Sequence, residues 1–501
     1  MIRRLAPLAA VAALSACLTT GSEDRTAPDA ATPITGARTA AGAPDFALPP
    51  VTLPPATPPA SGFAPPAVDD GRAYSLPELI DIAQRANPLT QAAWERAREA
   101  AAAVDIAESA YLPQLSANVL AGYGRASSFV PAVPPLLPDG RFTVDGLTVT
   151  PNVAFEWLLF DFGRRDAARQ IAQEATVGAN VLFQGAHQRV IFEVASAYYR
   201  YNAAREDTRI ARARVADAGT LRAMAVGRRD AGLGTAVDVA QTRQIEARTR
   251  FELTLAENRE RDAYARLMRA MGLGPTTRIE VTDLAGRRLP AEVPLEIETL
   301  IEGAVARRPD IQAALAAVRA SEAGMALAAA ERRPAVLAVG EAGRAYGRFR
   351  LDDDRLPGSA RVSDNLADAA VGVLVRMPLF DGGLRDAQAR RAQARAAAAR
   401  RDLDALRTVA ATEIVEAYDL LRTSLAAHAA SGPLLAAANE AYAAVLGFYD
   451  NGLATLAEVS VAKTAVNDAR MVRADAFADA FIAAAALAFA TGDLTSVDAV
   501  P

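Results

Sequence analysis

The segment Asp230-Ala-Gly-Leu-Gly-Thr-Ala-Val-Asp238 returns 220 positions later as Asp450-Asn-Gly-Leu-Ala-Thr-Leu-Ala-Glu458. Each copy carries the residues of a tight turn between two helices. Gly232 and Gly452 stand where a helix ends in the left-handed region, which glycine enters without a Cβ clash. Thr235 and Thr455 fit N-caps, and Asp238 and Glu458 three positions on complete a capping box for the next helix. Two such hairpins at this separation predict an internally duplicated architecture.

The sequence around the turns follows the same duplication. A short helix, Leu76 to Ala86, ends before Asn87-Pro88, and Leu300 to Arg308 ends before Pro309. Second helices run from Thr90 to about Ala110 and from Asp310 to Arg333. The period then drops to two, as a strand requires. Leu115, Ala117, Val119, Ala121 and Tyr123 alternate with small or polar neighbours. So do Val149, Val153, Phe155, Trp157 and Leu159, with Asn152 and Glu156 on the other face. Val336 to about Arg348 and Ala369 to Leu379 answer them, with Val371, Val373 and Val375 on one side. The stretch up to Gly146 and the acidic run Asp352–Asp354 read as polar loops.

Leu159-Phe-Asp-Phe-Gly163 and Leu379-Phe-Asp-Gly-Gly383 then turn strand into helix, again 220 residues apart. Arg164 to Asp230 contains no proline, and a continuous helix there is roughly 100 Å long at ~1.5 Å per residue. Val190, Val194, Ala197, Tyr201, Ala204, Thr208, Ala211, Val215 and Ala218 step by four and three, which predicts a coiled-coil seam. The chain returns over Ala236 to about Met271. Its second long helix, Arg385 to Asp450, is expected to break or kink at Gly432-Pro433, and Leu456 to about Thr491 returns.

Composition supports long, closely packed helices over a thick mixed core: 51% of residues are hydrophobic but only 6% aromatic. The net charge of −5 excludes a nucleic-acid surface, which needs a basic excess. One cysteine permits neither an internal disulfide nor a thiolate cluster. Met1-Ile-Arg-Arg, the apolar run Leu5 to Leu14 and Leu14-Ser-Ala-Cys17 read as a lipoprotein signal, cleavage of which leaves Cys17 lipidated. Leu18 after Cys17 favours the outer membrane. A plain secretory signal is the alternative. Eleven prolines between Pro28 and Pro66 mark a linker. The division expected is signal 1–17, linker 18–73, first repeat 74–275, connector 276–299, second repeat 300–492 and tail 493–501.

No mature segment reads as ~20 consecutive apolar residues, so no transmembrane helix is expected. Alternating strands cross a bilayer only as a closed barrel, and four per chain are too few to close one. Entry of these strands into the membrane therefore requires several copies. Nothing predicts an enzyme. The glycines at 272–274 and 382–383 lack the spacing and lysine of a phosphate loop. His187 and His428 lack metal-ligand partners at helical spacing and read as packing or surface residues.

With its two Leu-Phe-Asp-x-Gly junctions and two Gly-Leu-x-Thr turns in the same order, the chain resembles the TolC-like outer-membrane efflux proteins over residues 74–492. The resemblance implies an α+β membrane protein: antiparallel helical hairpins, four transmembrane strands per chain and a trimeric α/β barrel. It implies a homotrimer in outer-membrane lipid, joined to a periplasmic adaptor and an inner-membrane pump, with no cofactor. Gly232, Leu233, Thr235, Gly452, Leu453 and Thr455 would form the periplasmic tip where the adaptor docks, and Asp230, Asp238, Asp450 and Glu458 would charge the constriction. Tyr123, Phe155, Trp157 and Phe160 fit a membrane girdle or the barrel wall, while Phe160 and Phe380 fit packing at the barrel-to-helix junction. Efflux of small molecules and type I secretion of proteins both suit such a duct. The alternative is a lipid-anchored periplasmic scaffold or adhesin without a channel.

Overall fold

The computed structural model describes residues 37–38, 44–45, 71–132, 139–284, 289, 296–354 and 358–494. Cys17 and the signal lie outside the described residues. The first repeat comprises β1 (Ala73–Tyr74), α1 (Leu76–Ala86), α2 (Pro88–Ser109), β2 (Gln114–Val130), β3 (Gly140–Phe160), α3 (Arg164–Asp230) and α4 (Ala236–Ala270). The second follows with β4 (Glu280–Val281), α5 (Ile297–Arg307), α6 (Pro309–Ala330), β5 (Ala335–Asp353), β6 (Ser359–Arg376), α7 (Leu384–Asp450) and α8 (Leu456–Ala490). Helix lengths match pairwise between the halves, the long helices having 67 residues each and the returning ones 35. The duplication therefore holds to the residue in the hairpins.

Two compact units are present, and each draws on both repeats. One unit contains the hairpins and their packing. Its largest core joins α1, α3, the end of α4, β1, β4 and Phe481 of α8, with Tyr198, Tyr199, Leu267 and Met268 fully buried. β1 and β4 pair in parallel, so the connector between the repeats is tied into this core. The predicted seam is only partly the buried face of α3. Tyr198 and Tyr199 are covered more fully than Tyr201, because neighbours on two sides bury a stripe broader than a heptad.

The other unit contains one antiparallel sheet in the order β2-β3-β5-β6. Its strands run 17 to 21 residues, longer than the alternating segments in the sequence. The expected loop before Gly146 is strand from Gly140 onward, and Asp352 and Asp353 close β5. Phe142 and Val144 alternate there with Arg141, Thr143 and Asp145, and Phe349 and Leu351 with Arg348 and Arg350, so the two-residue period continues among charged neighbours. Asp354 lies in the turn, where its carboxylate accepts the Arg141 N–H at 2.8 Å.

One further expectation is corrected, and one meets a borderline case. The expected break in α7 is absent: the helix runs through Pro433, and Gly432 before it has no Cβ to clash with the proline ring. By length and composition, α6 is apolar enough to cross a membrane. Its alanines raise the hydropathy despite Arg319 and Glu322, and Ile311, Ala316, Val318 and Ala323 are buried within the protein.

Candidate functional site

At the α3–α4 turn, the Gly232 N–H donates to the Arg229 carbonyl at 2.9 Å and the Leu233 N–H to Arg228 at 2.8 Å. The α7–α8 turn repeats both bonds, Gly452 to Tyr449 and Leu453 to Phe448. These satisfy the last carbonyls of each long helix, and they require φ of +70° at Gly232 and +77° at Gly452. The returning helices begin on the predicted boxes. Asp238 accepts from the Thr235 N–H at 2.8 Å and donates its own N–H to Thr235 Oγ1 at 3.2 Å. Glu458 and Thr455 do the same at 2.6 and 3.3 Å. The bonds from these backbone N–H groups, then from the threonine hydroxyls, hold both carboxyls below their usual range.

The caps leave the two leucines free of the hairpin. Leu233 is 73% exposed and Leu453 77%, with Val237, Phe448 and Val461 also exposed nearby in sequence. The acids divide. Asp238 and Glu458 are engaged in the caps, Asp230 pairs with Arg229 at 2.6 Å, and Asp450 is exposed.

Contacts between the hairpins were not legible in the sequence. Leu221, Ala225, Val239, Tyr449, Leu456 and Val459 form one small core just behind the turns. The Arg228 guanidinium stacks 4.9 Å from the Tyr449 ring centre. Lys463, the only lysine in the chain, pairs with Asp217 at 3.2 Å and lies over the Tyr442 ring. Arg214 bridges Glu252 and Asp468. The two turns are thus presented side by side, with the exposed apolar residues outside this core.

A second repeated constellation starts the long helices. Asp161 accepts the Gly163 and Arg165 N–H groups, and Asp381 accepts those of Gly383 and Arg385. Each arginine returns its guanidinium to the same aspartate. Arg165 also donates to the Leu158 carbonyl at 2.6 Å and stacks on Tyr111. The signal for these arginines stood in the sequence as Asp-x-Gly-x-Arg in both halves. Phe162 takes the left-handed conformation that Gly382 takes in the other half, with φ of +54° against +67°. Its ring meets Phe160 edge-on at 4.6 Å. Phe380 has no such partner among the described residues and is 92% exposed, contrary to the expected packing.

The sheet register sorts the strand residues into two faces. Leu115, Phe155, Gly340 and Val371 form one row, flanked by Ala117, Val153, Ala342 and Ala369 and by Trp157, Ala338 and Val373. The opposite face carries Glu156, Glu341, Asn118, Asn152 and Asp368. β2 and β6 each pair on one side only.

Both histidines pack. His187 meets Phe183 edge-on at 4.7 Å, and His428 lies 5.3 Å from Phe477. Burial, then Arg473, lowers the His428 pKa.

The sequence profile described as outer membrane efflux protein matches residues 79–273 and 300–493. The chain is 29% identical over 396 residues to protein CyaE of Bordetella pertussis, covering 77% of each. It is 27% identical over 307 residues to the pyoverdine export outer membrane protein OpmQ of Pseudomonas putida, covering 56% of this chain and 62% of that one. The solved structure of the outer-membrane channel OprN superposes with a TM-score of 0.69 at 22% identity, over 85% of this chain and 94% of that one. The duplicated helical hairpins, the two-faced sheet and a profile match in both repeats agree: the chain belongs to the outer membrane efflux protein family.

Proposed function

We propose that the protein is the outer-membrane exit duct of a tripartite efflux or type I secretion system, working as a homotrimer. The observation that carries this reading is the sheet, with apolar rows on one face near the helices, carboxylates and amides on the other, and two unpaired edges. An isolated sheet with free edges is untenable in lipid, because its outer N–H and C=O groups lack partners. Three copies supply twelve strands, within the range that closes a barrel. The apolar rows would then face lipid, and Glu156, Glu341 and Asp368 would face the water-filled interior. A scaffold without a channel has no use for such a sheet.

The hairpin tips are the docking face for a periplasmic adaptor, and Leu233 and Leu453 are its apolar contacts. Their exposure beside satisfied caps supports this, since neither leucine is needed to close its turn. Asp450 and its copies would place negative charge at the opening. Energy comes from an inner-membrane pump, and Cys17 anchors the chain by lipid.

Replacing Leu233→Asp together with Leu453→Asp should leave oligomer mass and thermal stability unchanged while export falls to the level of a deletion strain. Normal export by that double variant would remove the docking role from the tips.

A further inference from the structure

The start of α7 carries arginines at positions where its counterpart has none, while α3 has Arg164 and Arg169 where α7 has Leu384 and Ala389. α3 and α7 begin on the same aspartate–arginine turn and have equal length. Where α3 has Gln170, Ile171 and Ala175, α7 has Arg390, Arg391 and Arg395. All three arginines are exposed, and among the described residues none forms an ion pair or hydrogen bond. Arg391 and Arg395 stand one turn apart, where like charges repel. The first repeat builds the same helix without them, so the fold does not require them.

Their position relative to the sheet gives them a use. β6 ends at Arg376, and Met377, Leu379, Phe380 and Leu384 follow with exposed side chains, Leu379 at 88%. At about 3.6 residues per turn, Leu384, Arg391 and Arg395 share one face of α7, spread over roughly 16 Å of helix. Along the chain the order is membrane-facing strand, uncovered apolar residues, then unpaired cations. That order matches the depth profile of a bilayer leaflet, from acyl chains through the interface to phosphates.

We propose that this segment is a lipid-binding face, on which Arg391 and Arg395 hold the anionic headgroups of the periplasmic leaflet, with Arg390 on its flank, while Leu379 and Phe380 sit at the acyl boundary. It rests on the reading that the sheet spans the outer membrane. Guanidinium groups suit the task because they bind phosphate oxygens in pairs and keep their charge at any physiological pH.

The test uses the full-length protein in detergent, wild type and Arg390→Gln/Arg391→Gln/Arg395→Gln. Each is titrated with palmitoyl-oleoyl phosphatidylglycerol or with phosphatidylcholine of the same chains, and bound lipid is read by native mass spectrometry. Wild type should prefer phosphatidylglycerol. The variant should lose that preference by on the order of tenfold to a hundredfold, at roughly fivefold per arginine, with unchanged oligomer mass and single-channel conductance. Equal phosphatidylglycerol binding by both proteins, or no preference in wild type, would overturn the proposal. So would a fall in oligomer mass, which would make this face a contact between copies. The duct reading is scored separately: a wild type that binds phosphatidylglycerol through these arginines but never conducts counts against the duct and in favour of this face.

Discussion

Asp207 on α3 shows how single residues tune the helical packing. Burial pushes its carboxyl up to about 6, Asp475 adds to the rise, and Arg259 opposes it. Its Oδ1 is buried without a hydrogen-bond partner. The folded state therefore holds this proton more tightly than the unfolded chain, where a carboxyl titrates near 4. The protonated form supports the fold below about pH 4, and that support is lost as pH rises through about 6. Asp207→Asn should raise the thermal midpoint at pH 7.5 and do much less at pH 4.5. An equal shift at both values would mean the carboxyl is not strained. At the tips the sign reverses. Asp238 and Glu458 titrate below their usual range, so their caps hold above the ordinary carboxylate pKa and are lost as pH falls through the lowered one. Thr235→Ala or Thr455→Ala should remove about 1 kcal/mol of helix-start stability, read as faster amide exchange over the first turn of α4 or α8.

At the scale of elements, each strand-to-helix junction depends on an aspartate that caps the helix and an arginine that ties it back. The two copies differ in cover. The Arg165 and Asp161 side chains are 12% and 7% exposed, against 30% and 25% for Arg385 and Asp381. Arg165→Met strands a buried carboxylate and leaves the Leu158 carbonyl without its donor, a loss of about 3 kcal/mol by the usual cost of breaking a buried pair. Arg385→Met should cost distinctly less because water reaches its partner. Unfolding midpoints of the two variants check the order, and a larger loss at Arg385 would contradict this account. The Asp-x-Gly-x-Arg spacing was visible in the sequence twice. What it held together was not, since Leu158 and Tyr111 reach Arg165 only once β3 and the end of α2 are brought alongside.

For the whole molecule, the free edges of β2 and β6 are the basis of the proposed assembly. The detergent-purified protein should have the mass of three copies by light scattering and give discrete conductance steps in planar bilayers. Asp450→Ala should enlarge those steps if that carboxylate narrows the opening. A monomer that never conducts would leave the sheet without a membrane role and return the scaffold reading.

Much of this architecture follows from local chemistry that a sequence displays. Glycine at a left-handed position, threonine three residues before an acid and alternation of apolar side chains act within one turn or one strand. They set the hairpin ends, the caps and the alternating parts of the strands from residue types alone. The tertiary structure decided what local rules do not encode. It extended the strands into segments where charged, glycine and hydroxyl residues thin out the apolar alternation, because ladder bonds use backbone atoms common to all residues. It carried α7 through Pro433, where the glycine before it has no Cβ to meet the ring. It joined Arg228 to Tyr449 and Lys463 to Asp217, because residues hundreds of positions apart meet only when the two hairpins lie side by side.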